Sequence, residues 1–136
     1  MFIHKKSYRW LLGLAFGVAL VGGASASKAG NKWPYPLTID PSTGWAQGSL
    51  GTVRNSATSS EYMNCFIASY GLNCAAYDGT RYLSCYHPRS KSNFSVMLSS
   101  LQSLSGDSVL QFKAASDGSC AELIVNNGSY WEPKVR

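Results

Sequence analysis

The chain is short of the residues that most chemistry requires. Of its 136 residues, two are histidine (His4 and His87) and seven are acidic. Neither a C-x-x-C pair nor a nucleophile-elbow G-x-S-x-G occurs, so the common metal-binding and serine-hydrolase frameworks have no local signature. Lysine and arginine never gather into a stripe, which argues against a nucleic-acid partner. The one long apolar run, Trp10–Val21, is nearer a dozen residues than the roughly 20 that span a bilayer. No second such run follows, so stable membrane insertion is not expected once that run is removed.

What the N-terminal segment does contain is ordered. Lys5, Lys6 and Arg9 precede the apolar run, and Ala24-Ser25-Ala26 follows it. A basic region, an apolar region and an A-x-A site in that order read as a signal peptide over residues 1–26. The protein is therefore expected to be secreted or periplasmic. Removing that segment leaves nine bases against seven acids, a balance of +2 in place of +5. Most of the basic character belongs to the leader.

Four cysteines in an exported chain of this size read as two disulfides. Their spacings are eight, ten and thirty-four intervening residues, and His87 is the one histidine beyond the leader. This set suits zinc poorly, and neither metal nor cofactor is expected. Glu61–Tyr86 holds three of the cysteines and two turn signals, Tyr70-Gly71 and Asp78-Gly79. Aspartate-glycine is a strong hairpin signal, because glycine takes positive φ without steric cost. The stretch is expected to form a three-stranded meander in which Ser69 faces Leu72 and Tyr77 faces Thr80. Side chains alternate with period two, so Cys65, Cys74 and Cys85 share the buried face. The expected pairing is Cys65–Cys74 and Cys85–Cys120. The first bridge requires a wider loop than the tight turn, and Cys74–Cys85, diagonal neighbours in the tight-turn register, remains a rival.

On either side the pattern changes. Residues 27–51 are rich in proline, glycine and serine and read as an extended arm, with Trp33, Tyr35 and Trp45 docked on the domain or offered to a partner. Residues 52–136 read as a single stapled domain, opened by a short strand at Thr52–Asn55. Phe94, Met97, Leu98, Leu101 and Leu104 recur at helical steps, with Ser92 or Asn93 as cap and Gly106 as stop. Ser108–Ala115 and Cys120–Asn126 alternate as strands around Asp117-Gly118, and Tyr130-Trp131 begins a terminal strand. The expected class is α+β: a small antiparallel sheet in βββ-α-ββ order with one packed helix.

From Ser60 onward the chain resembles uncharacterised small exported bacterial proteins. The residues that carry the likeness are the four cysteines, Gly106-Asp107-Ser108, Phe112, and Asn127-Gly128-Ser129-Tyr130 with Pro133-Lys134. The resemblance implies bacterial export and names no catalytic residue.

Chemistry is harder to find. A triad must use His87, which beside Pro88 reads as a turn residue. The acids beyond the leader that enter a carboxylate pair are Glu61, Asp78, Asp107, Asp117, Glu122 and Glu132. Asp78 and Asp117 are already turn residues, which leaves Glu122 as the most open. Tyrosines are abundant, and aromatic planes among serine and asparagine suit stacking on sugars or docking on proteins. The expected contact residues are Tyr62, Tyr77, Tyr82, Tyr130 and Trp131. The expected function is non-catalytic binding of a glycan or an extracytoplasmic protein, with a protein inhibitor as the alternative and a small hydrolase behind it.

Overall fold

The computed structural model describes residues 32–131. The signal peptide assigned to 1–26, the start of the arm, Glu132 and Pro133-Lys134 lie outside the described residues. Strands β1 (Thr38–Asp40), β2 (Trp45–Ser49), β6 (Val109–Ala114) and β7 (Cys120–Asn126) form one antiparallel sheet in the order β1-β2-β6-β7. Strands β3 (Tyr62–Ala68), β4 (Gly71–Tyr77) and β5 (Tyr82–Pro88) form a second, the meander. Helix α1 (Leu50–Arg54) links the two sheets in sequence, and α2 (Phe94–Gln102) follows the meander. The class is α+β, with two sheets where one was expected and two helices where one was expected.

The arm is the main correction. Residues 38–49, read as extended linker, supply two strands of the larger sheet, with Trp45 opposite Lys113 and Ser49 opposite Val109. The inward positions of β2 are Ala46 and Gly48, both buried. Residues so small leave no hydrophobic alternation for the sequence to display. Their size is required, since a Cβ on Gly48 would lie 3.2 Å from the Leu37 backbone and 3.2 Å from Val53. The strand expected at Thr52–Asn55 is instead the end of α1. Ser49 caps that helix, its hydroxyl accepting from the Thr52 N–H at 3.5 Å.

Inside the meander both pairing registers are displaced by two residues from expectation. The first turn is the two residues Ser69-Tyr70, so that Cys65 faces Cys74 without the wider loop that was expected. Ala68 faces Gly71, and Tyr77 faces Tyr82. The second turn is a four-residue loop because the Asp78 carboxylate builds it. It accepts from the N–H of Thr80 at 3.0 Å and of Arg81 at 2.7 Å, and Gly79 takes φ 91°. Even displacements keep every side chain on its face. Cys65, Cys74 and Cys85 therefore share a face as expected, now on a single rung, with Cys74 opposite both of the others.

The disulfides are Cys65–Cys74 and Cys85–Cys120. The first crosses neighbouring strands of the meander, and the second joins the meander to the larger sheet. Around them Ile39, Leu110 and Phe112 of one sheet, Leu72 and Ala76 of the other, and Phe94, Met97 and Leu101 of α2 form one core. Helix α2 ends at Gln102, short of Gly106, and the terminal strand is reduced to a single bridge between Trp131 and Trp33.

Candidate binding face

The inner face of the meander is committed to the core, so its outer face holds the alternate residues. Across β3, β4 and β5 these fall on four rungs: Tyr62–Tyr77–Tyr82, Asn64–Ala75–Ser84, Phe66–Asn73–Tyr86 and Ala68–Gly71–Pro88. None of the twelve is charged. The first and third rungs are aromatic, and the rung between them is small and polar. Tyr62 and Phe66 are four residues apart on β3, about 13 Å at a rise of about 3.3 Å per residue.

Several rings are held in place by the backbone. The Tyr77 hydroxyl donates to the Gly79 carbonyl at 2.8 Å, and that of Tyr86 donates to the Tyr70 carbonyl at 3.0 Å. Tyr62 lies 6.1 Å from Tyr77 and Tyr70 lies 6.0 Å from Tyr86, both pairs tilted. Tyr86 lies over Gly71, where a Cβ would come within 2.9 Å of the ring. Even so the face is open, with Phe66 50% and Tyr82 56% exposed. Rings fixed in this way lose little conformational freedom when a ligand stacks on them.

The expected contact residues divide into two groups. Tyr62, Tyr77 and Tyr82 share one rung of this face. Tyr130 and Trp131 belong to a different cluster, where their rings are 4.4 Å apart and Tyr35 meets Trp131 edge-on at 5.3 Å. In that cluster the Trp33 N–H donates to the Tyr130 carbonyl at 2.8 Å. Trp131 is packed, with its Nε1 buried and unpartnered among the described residues. Phe66, Asn64, Asn73 and Ser84 were missed, although their period-two spacing from Tyr62, Tyr77 and Tyr82 was present in the sequence.

His87 and Glu122 are far apart in character. His87 is 3% exposed on the inner face; its Nδ1–H donates to the Cys120 carbonyl at 3.1 Å, and its ring stacks on Phe94. Glu122 is exposed on β7 and paired in register with Lys113. Three aspartates are held below their ordinary value by turn hydrogen bonds: Asp40 by the Ser42 and then the Thr43 hydroxyl, Asp78 by the Arg81 N–H, and Asp117 by the Ser119 hydroxyl. Each carboxylate serves its own turn.

The larger sheet carries a shallow cleft of about 350 Å³ between Trp45, Gln47, Gln111, Thr38 and Asp40. It adds an aromatic ring and two carboxamides on the opposite layer. Among the described residues no helix is long and apolar enough to cross a membrane, and two disulfides with no such helix are compatible with an extracytoplasmic protein. Comparison with protein-family models, curated proteins and solved structures finds no match to this chain.

Proposed function

We propose that the protein is a secreted or periplasmic, non-catalytic binding module that takes a neutral glycan on the outer face of the meander. One observation carries the reading: two aromatic rungs flank a small polar rung, with no charge at any of the twelve positions. Protein-docking surfaces have the opposite anatomy, an apolar centre with a polar rim. Here the centre is Asn64, Ala75 and Ser84. Ring planes on either side suit the C–H faces of sugars, and the amide and hydroxyl groups between them suit sugar hydroxyls. The lack of charge favours a neutral chain over an anionic one.

A glycan array probed with the exported protein, followed by calorimetric titration of the best neutral oligosaccharide, tests the proposal. Phe66→Ala and Tyr82→Ala are each expected to weaken binding about three- to tenfold, the equivalent of about 0.7–1.4 kcal/mol. Trp33→Ala, in the other aromatic cluster, is expected to leave affinity unchanged. Affinity that survives both meander substitutions and disappears with Trp33→Ala would move the site. Turnover of the glycan that is lost in His87→Ala or Glu122→Ala would replace a binding module with an enzyme.

A further inference from the structure

The sulfurs of Cys74, Cys85 and Cys120 lie within 4.8 Å of one another, although they belong to different disulfides. All three cysteines are buried, at 0%, 2% and 2% exposure. Cys65 alone is half-buried. Its strand, β3, is an edge of the meander, and its neighbour on the inner face, Ile67, is 48% exposed. Cys65 is thus the one of the four that is not fully buried, and the sulfur of its partner Cys74 lies within 4.8 Å of both sulfurs of the second bridge.

We infer that Cys65 is a site of thiol exchange, taking a small-molecule or protein thiolate, and that attack there is relayed to the bridge between the sheets. The incoming thiolate bonds to Cys65 Sγ and breaks the bond to Cys74, whose sulfur leaves with the electron pair. The Cys74 thiolate then attacks Cys85 Sγ, forming Cys74–Cys85 and expelling the Cys120 thiolate, which takes a proton from solvent. The electrons balance with no further oxidant: one mixed disulfide and one thiol replace one disulfide and one incoming thiol. Cys85 is the chosen target because it faces Cys74 across β4 and β5 just as Cys65 faces Cys74 across β3 and β4. The new bridge therefore repeats a cross-strand arrangement the meander already holds. Its effect is directional, since the meander stays cross-linked while its covalent link to the larger sheet is lost.

Glutathione is the probe. The native protein is exposed to substoichiometric reduced glutathione at neutral pH, quenched in acid, alkylated and mapped by mass spectrometry at early times. The expected species carries glutathione on Cys65, a linked peptide pair containing Cys74 and Cys85, and an alkylated Cys120. Glutathione on Cys65 with alkylated Cys74 and an intact Cys85–Cys120 bridge would overturn the relay. So would a Cys74–Cys120 link, four cysteines opening together, or no reaction before the near-ultraviolet dichroism of the folded state is lost. Cys65→Ser supplies an independent check. It leaves Cys74 as a thiol, and a measurable fraction of purified protein should hold Cys74–Cys85 with Cys120 free; Cys85–Cys120 alone would count against the inference.

Discussion

At the residue scale, small side chains set the limits. Gly71 is fixed by close approach: a Cβ there would lie 2.4 Å from the His87 carbonyl and 2.9 Å from the Tyr86 ring. Gly71→Ala is expected to cost about 1–3 kcal/mol, read by denaturant unfolding, because the contact atom is backbone and has no room to turn away. It should also tilt Tyr86 and weaken glycan binding. The turn aspartates give a pH dependence with a definite sign. Asp40, Asp78 and Asp117 are each held below the ordinary 3.8. Their stabilisation is complete above the unfolded value and is lost as pH falls through the folded one, so the sensitive window lies below 3.8. Melting temperatures taken from about pH 5 to about pH 2 should drop in that window, and Asp78→Asn should flatten part of the drop.

At the scale of elements, the two bridges close loops of different length. Sequence separations are 9 for Cys65–Cys74 and 35 for Cys85–Cys120. Loop closure scales with the logarithm of length, so replacing Cys85 and Cys120 by serine should cost about 1 kcal/mol more than replacing Cys65 and Cys74. Unfolding both double variants under identical conditions checks the difference; an equal loss would place the stabilisation in native packing. The meander was legible because alternation survives an even register shift, and so its faces and its cysteines were assigned correctly from the wrong turns. The turns themselves were not legible: the first is a two-residue turn set one place earlier, at Ser69-Tyr70, and the second is a four-residue loop that Asp78 builds with its own carboxylate. Strand β2 was hidden for another reason, since Ala46 and Gly48 face the core without a bulky apolar signature, and β1 is three residues with Ile39 alone buried, too short to show alternation. The site was half legible. Tyr62, Tyr77 and Tyr82 share a rung, whereas Tyr130 and Trp131 were grouped with them by residue type alone.

At the scale of the whole molecule, one layer carries the proposed ligand face, and the other carries Phe112, Ile39, Leu110 and Val109, four of the five largest fully buried apolar side chains. Export remains a proposal with a direct check: intact mass of protein from the periplasm or medium should begin at Ser27, and retention of Met1–Val21 in a membrane-bound product would refute it. The Cys85–Cys120 bridge also has a mechanical meaning. A pull on a glycan seated over β5 passes through a covalent bond into β7, so tension bypasses the hydrogen-bonded ladders and the apolar interface between the layers. While the bridge stands, the 35-residue span it closes has no freedom to pay out under load. That withholds an extension of about 120 Å at about 3.4 Å per residue, and a tether held by this face stays short until the bridge is cut.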